Sequence, residues 1–161
     1  MNQILLRQAT AALAAGRLKI TCAESCTGGL LAAAFTELPG SSAWFETGFV
    51  TYSNEAKQRL LGVSAESLRR EGAVSETVAW EMASGACAAA AADYALAITG
   101  IAGPGGGSAE KPVGTVCFGL ACREGASART AHFCGTRSEI RRQAADFAIA
   151  WLAQTLAQRQ G

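Results

Sequence analysis

A serine hydroxyl becomes a useful nucleophile only when a neighbouring base takes its proton, and two short segments of this chain supply both partners. Ala23-Glu24-Ser25-Cys26-Thr27-Gly28-Gly29 sets Ser25 where an apolar run gives way to a glycine-bearing turn. Thr51-Tyr52-Ser53-Asn54-Glu55-Ala56-Lys57 supplies a tyrosine and a lysine. With one histidine in 161 residues, lysine is the natural base. Lys19, Lys57 and Lys111 are the only three lysines, against eleven arginines, so Lys57 is not easily dismissed as generic surface charge. With Asn54 as the cap, Lys57 falls in a first helical turn, where the dipole disfavours an ammonium by a few tenths to about 1 kcal/mol. That is too little to keep an amine neutral, so burial against apolar neighbours must add to it. Tyr52, ending the preceding strand, is placed to relay or orient the proton, although a core tyrosine with its hydroxyl at the rim is the commoner fate.

The N–H groups of Thr27, Gly28 and Gly29 at a helix start are candidates to hold an anion or the oxyanion of a tetrahedral intermediate. Taken alone, the first motif reads more simply as a strand-to-helix turn capped by serine and threonine. Lys57 shifts the balance.

The elements that must position these groups follow from periodicity. Residues 3–15 read as a helix with Ile4, Leu5, Ala9, Ala12 and Leu13 on one stripe, and Leu18–Ala23 as a buried strand. A helix opens near Thr27 and ends before Pro39-Gly40. Glu46–Tyr52 reads as a strand, and Asn54 caps a helix that Gly62 terminates after Leu61. Ser64 and Ser75 look like further caps, the second opening an alanine-rich helix to about Ala92. Asp93–Thr99 is the next strand and runs into Gly100-Ile101-Ala102-Gly103-Pro104-Gly105-Gly106-Gly107, a loop suited to close backbone approach. Val113–Cys122 and Ala128–Phe133 form a hairpin around Glu124-Gly125. Thr136-Arg137-Ser138-Glu139 is a capping box for a last helix carrying Ile140, Ala144, Phe147, Trp151 and Leu152. Helices interleaved with strands, plus a C-terminal hairpin, imply one three-layer α/β/α domain over residues 1–161 with a mixed sheet.

Composition narrows the function. Fourteen basic against thirteen acidic residues leave a formal charge of +1, which gives no basic excess for a nucleic-acid partner. No apolar run approaches the roughly 20 residues of a membrane span, and the N-terminus lacks the features of a secretory signal. The six cysteines, Cys22, Cys26, Cys87, Cys117, Cys122 and Cys134, miss paired zinc spacing and read as reduced, mostly buried thiols of a cytoplasmic protein. The tryptophans Trp44, Trp80 and Trp151 belong to the core or to a homo-oligomer interface.

Other chemistries fit less well. A Ser-His-Asp hydrolase has to be built from one histidine and two aspartates, Asp93 and Asp146, without a G-x-S-x-G elbow. The glycine loop lacks the P-loop pattern, since Lys111 lies eight residues after Gly103 with no Ser or Thr following it. A tyrosine–lysine oxidoreductase would need a dinucleotide fingerprint after the first strand, which Glu24-Ser25-Cys26-Thr27-Gly28-Gly29 is not. His132 sits on an edge strand with no acidic neighbour and reads as structural.

Four stretches together extend the match along the whole chain. Ala23–Leu30, Thr51–Lys57, Gly72-Ala73-Val74-Ser75 and Thr99–Gly106 with Lys111–Val116 closely resemble the CinA C-terminal domain family, in the same order. That resemblance implies hydrolysis of the carboxamide of nicotinamide mononucleotide (NMN) to nicotinate mononucleotide and ammonia, through an acyl-enzyme and without metal or other cofactor. It puts the catalytic groups on Ser25, Tyr52 and Lys57 and makes Cys26 a packing residue. The candidate substrate-binding residues are Thr27, Gly28, Gly29, Asn54, Thr99, Gly100, Gly103, Gly105 and Gly106. The substrate's phosphate needs an anion site, and the Gly100–Gly107 loop can present backbone N–H groups as a nest for it, although a flexible connection fits that loop equally well. Arg141, with Arg142 beside it, adds a cation for that phosphate, although a solvated helix face fits one of the two as well. Met1 as the first residue fits the family's stand-alone form. The alternative from another class is a nucleotide-binding or regulatory module without useful turnover that acts through a protein partner.

Overall fold

The computed structural model describes residues 2–160. Six α-helices, α1 (Gln3–Gly16), α2 (Leu30–Thr36), α3 (Asn54–Leu61), α4 (Ala65–Glu71), α5 (Glu76–Ala89) and α6 (Arg137–Gln160), interleave with five strands. The strands are β1 (Ile20–Glu24), β2 (Phe45–Val50), β3 (Tyr94–Gly100), β4 (Thr115–Cys122) and β5 (Gly125–His132). They form one sheet in the order β2-β1-β3-β4-β5. β2, β1 and β3 run parallel, while β4 and β5 are antiparallel additions. This is the three-layer α/β arrangement with a mixed sheet that the element order implies.

Strand alternation sorts the two faces. Ile20 and Cys22 of β1, Leu96 and Ile98 of β3 and Phe118 of β4 pack against α1, α2 and α6, together with Leu6, Leu13, Phe35 and Ile149. The opposite face presents Ala23, Ala95, Ala97 and Ala121 to α3, α4 and α5, through Leu61, Leu68, Val78 and Met82. Small strand residues let α5 lie close to the sheet. Close approach recurs where α5 meets the end of α3: a Cβ on Gly85 would sit 1.8 Å from the Leu61 carbonyl oxygen, so only glycine fits there.

Several boundaries differ from the sequence reading. Ile4 is 69% exposed, and α1 is buried through Leu6, Ala9, Thr10 and Leu13. The stripe is therefore rotated, because a run of three apolar residues at 4–6 leaves its phase ambiguous. The cap of α3 is Ser53, whose side chain accepts from the Ala56 amide, and not Asn54, which is the first helical residue. The hairpin is tighter than expected, with β5 starting at Gly125. The alanine-rich helix ends at Ala89 rather than Ala92.

The largest local difference concerns α2. It begins at Leu30, not near Thr27, with Gly28 (φ 59°) and Gly29 (φ 106°) in left-handed geometry ahead of it. Its N-cap, Gly29, has no side chain to offer. Glu24 fills that role from the end of β1: its buried carboxylate accepts from the amides of Gly29 (3.1 Å), Leu31 (3.0 Å) and Ala32 (2.8 Å). Alternation puts Glu24 on the same face as Ile20 and Cys22, under α2, and turns the following residue toward α3.

Candidate functional site

That following residue is Ser25, whose amide donates to the Ile98 carbonyl at 2.9 Å, extending the β1–β3 pairing by one bond. Lys57 reaches it from α3. Its Nζ donates to Ser25 Oγ at 3.0 Å and to the Thr51 carbonyl at 2.8 Å. Lys57 is only 1% exposed and Ser25 9%, so the pair is shielded but the hydroxyl can still be reached. Among the described residues, no acid pairs with the amine. Burial lowers the Lys57 pKa from the ordinary lysine range, because removing the ammonium from water disfavours its charge. A serine hydroxyl bonded to a buried amine of lowered basicity is the arrangement that general-base activation of a nucleophile requires.

Two more polar atoms mark the same region. Thr27 Oγ1 and Thr51 Oγ1 are fully buried and have no partner among the described residues. Native interiors seldom leave buried hydroxyls unsatisfied without a water or ligand to meet them. Cys26, beside Ser25, is buried, and burial pushes its thiol up to about 11, so it stays protonated at neutral pH and is no rival nucleophile.

Tyr52 is not part of this hydrogen-bonded pair. It is 61% exposed, and its hydroxyl accepts from Arg137 Nη2 at 2.9 Å. Arg137 also donates through Nη1 to the Gly103 carbonyl at 2.8 Å. The guanidinium thereby ties the tyrosine to the glycine loop. The sequence reading passed over Arg137, although a signal was present: it stands at the first residue of α6, where the helix dipole disfavours a cation. Since Tyr52 loses at most one solvent-exposed hydrogen bond, Tyr52→Phe is expected to lower turnover by no more than about tenfold. Steady-state kinetics on that variant check this, and a loss as large as that from removing Lys57 would restore Tyr52 to the proton path.

The remaining expected residues fall into three groups. Arg141 does join the serine turn, donating through Nε to the Cys26 carbonyl (2.9 Å) and through Nη2 to that of Thr27 (2.8 Å); Arg142 donates to Ser138 on an exposed helix face. The amides of Gly28 and Gly29, expected to face an anion, are engaged by the Ser25 carbonyl (3.1 Å) and by Glu24, so they are not free donors; of the expected trio only Thr27 keeps its amide. Thr99, buried at the end of β3, donates its hydroxyl to the Ala73 carbonyl at 2.9 Å and acts as a structural tie.

In the glycine loop, Gly100 still belongs to β3, Gly103 is buried, and Gly105 and Gly106 are exposed beyond it. Lys111 anchors the far side of the loop by donating to the Glu71 carbonyl at 2.5 Å. Asn54 is exposed. His132 pairs across the hairpin with Thr115 at 3.3 Å, away from the serine. Among the described residues, no group of three or more His, Cys, Asp or Glu side chains converges, and no helix is long and apolar enough to cross a membrane.

Known proteins share this sequence and fold. The chain is 58% identical over 140 residues to the nicotinamide-nucleotide amidohydrolase PncC of Enterobacter agglomerans, covering 86% of this chain and 85% of that protein. It is 54% identical over 155 residues to the protein of the same name from Escherichia coli K12, covering 96% and 94%. The crystal structure of a competence-damaged protein (CinA) superfamily protein from Klebsiella pneumoniae superposes with a TM-score of 0.92 at 42% identity, covering 96% of this chain and 97% of that one. The family profile described as the CinA C-terminal domain matches residues 2–156. Ser25, Lys57, Arg137 and Arg141 all lie inside that match, and the chain belongs to the CinA C-terminal domain family.

Proposed function

We propose that this chain hydrolyses the carboxamide of NMN to nicotinate mononucleotide and ammonia, with Ser25 as nucleophile and Lys57 as base. The observation that carries the reading is the 3.0 Å contact between Ser25 Oγ and a buried lysine amine that has no acidic partner among the described residues. The names of the closely similar amidohydrolases support NMN as the substrate.

In this reading the neutral Lys57 amine keeps one N–H on the Thr51 carbonyl, and its lone pair takes the Ser25 proton as Oγ attacks the carboxamide carbon. The resulting ammonium returns that proton to the amide nitrogen as the C–N bond breaks, so ammonia leaves and a nicotinyl ester remains on Ser25. Water then attacks the ester, giving up its proton to Lys57, and the hydroxyl of Ser25 is restored. The phosphate of the nucleotide lies toward the Gly100–Gly107 loop, where Arg137, held between Tyr52 and Gly103, supplies a guanidinium suited to phosphate oxygens. The enzyme works in the cytoplasm on this reading, consistent with six unpaired thiols.

Ammonia release from NMN by the purified protein is the direct test. Measured against pH, kcat/KM is expected to fall on acidification, because the protonated amine cannot accept the serine proton. The midpoint is expected below the ordinary lysine range, since burial lowers the Lys57 pKa. An absence of ammonia from NMN would instead favour a binding module without turnover, and a flat profile down to acidic pH would point to another base.

A further inference from the structure

Attack on a carboxamide places negative charge on the carbonyl oxygen, and that oxyanion needs preorganised N–H donors close to the nucleophile. The start of α2 does not provide them, because Glu24 takes the amides of Gly29, Leu31 and Ala32. The turn ahead of it is different. In a trans peptide the C=O and the N–H of one plane point in opposite directions, and the Gly103–Pro104 bond is the one cis bond among the described residues. The Ser25 carbonyl is held by the Gly28 amide at 3.1 Å, which fixes the plane carrying the Cys26 N–H. The Cys26 carbonyl is held by Arg141 Nε at 2.9 Å, which fixes the plane carrying the Thr27 N–H. Arg141 Nη2 at 2.8 Å and the Leu30 amide at 3.3 Å share the Thr27 carbonyl and hold the third plane, the one whose Gly28 N–H closes the turn on Ser25. The amides of Cys26 and Thr27 are left with no acceptor among the described residues, one and two positions after the nucleophile. The orphaned, fully buried Thr27 hydroxyl belongs to the same turn.

We infer that the Cys26 and Thr27 amides form the oxyanion hole and that Arg141 is its positioning residue, acting through the two carbonyls it holds and not as the ligand of the substrate phosphate. The role rests on the amidase reading above, but its structural half does not. A planar guanidinium spans two adjacent carbonyls from one side; a lysine ammonium at the end of a flexible stem does not reproduce that geometry.

Two measurements on Arg141→Ala and Arg141→Lys test this. With NMN as substrate, kcat is expected to drop by about 10²–10³-fold with KM changed less than about threefold, and Arg141→Lys is expected to recover little of the loss. A raised KM at nearly normal kcat, repaired by lysine, would make Arg141 a phosphate ligand and overturn the assignment. Independently of any turnover, backbone ¹⁵N relaxation is expected to show new exchange broadening at Cys26, Thr27 and Gly28 in Arg141→Ala, with the rest of the spectrum and the melting temperature close to wild type. A turn that stays as rigid without Arg141 also overturns it. A wild-type protein inert toward NMN counts against the amidase reading alone, because the relaxation result still decides whether Arg141 organises the turn.

Discussion

Lys57→Met is expected to lower ammonia release from NMN by about 10²–10⁴-fold, the range that a positioned general base contributes, while the protein folds normally. Methionine matches the length and flexibility of the lysine stem and fills the same buried volume, so the lost function is the amine's lone pair and not packing. Ser25→Ala at the other end of the contact is expected to be at least as damaging, and the double variant no worse than the more damaged single one, since the two groups act as a unit.

Stability should move the other way. The lysine carries a lowered pKa in the folded protein, so between that value and its unfolded value the unfolded chain binds more protons. Wild-type stability therefore rises with pH through that window, and below it the buried charge is a standing penalty. Lys57→Met removes the penalty, and its melting temperature at neutral pH is expected to equal or exceed that of the wild type. Thermal unfolding of both proteins across pH, alongside the ammonia assay, checks this. A variant with substantial remaining activity would remove Lys57 from the mechanism, and a markedly lower melting temperature would show that the amine mainly serves the fold.

Glu24→Ala is expected to be the most destabilising single change near the site. It deprives the buried amide of Leu31 and the half-buried amides of Gly29 and Ala32 of their acceptor, and hydrogen bonds to a charged group contribute about 1.5–3 kcal/mol each. Partial relaxation and water entry bring the expected loss to about 3–5 kcal/mol, a large part of the 5–15 kcal/mol that holds a typical domain folded. α2 has seven residues, too few to persist without tertiary support. Glu24→Gln keeps one acceptor oxygen but turns an NH₂ group toward amide donors, and is expected to lose about half as much. Urea denaturation of the two variants is the measurement. A Glu24→Ala protein within about 1 kcal/mol of wild type would mean that α2 finds another cap. Activity should fall with stability, because Glu24 adjoins Ser25.

The parts of this molecule legible in the sequence are those written locally. The strand and helix order, and with it the mixed three-layer sheet, follow from apolar runs punctuated by glycine, serine and proline. Ser25 and Lys57 could be paired because one ends a strand, the other opens a helix, and lysine is scarce. Two of the features that escaped, at Tyr52 and Arg141, were set by partners distant in the chain. Tyr52 looked like a proton relay because it was expected to end the strand leading into the helix of Lys57, but β2 ends at Val50 and the tyrosine hydroxyl is claimed by Arg137, 85 residues on. Arg137 carried the same warning that singled out Lys57, a cation at a helix start, and that warning went unused. Glu24 was read as part of a motif when its isolation is the signal: a lone carboxylate in a strand otherwise buried and uncharged must be answered by donors, and the nearest are the uncapped amides of the next helix. Arg141 was expected at the substrate phosphate for its charge, whereas its bonds are to backbone carbonyls of the serine turn.

The close approach at Gly85 bears on how this protein tolerates redesign. Helix propensity alone makes Gly85→Ala attractive, with a gain of up to about 1 kcal/mol in the middle of an α-helix. Here the added methyl would meet the carbonyl of Leu61, one turn after Lys57 on the same helix. Relieving that clash displaces α3, and the amine moves with it relative to Ser25. A stabilisation campaign guided by exposed-helix rules would thus detune the reaction from a position that touches neither the nucleophile nor the base. The spacing of the two chemical groups is gauged by the absence of one carbon atom where α5 meets the end of the helix that carries the lysine.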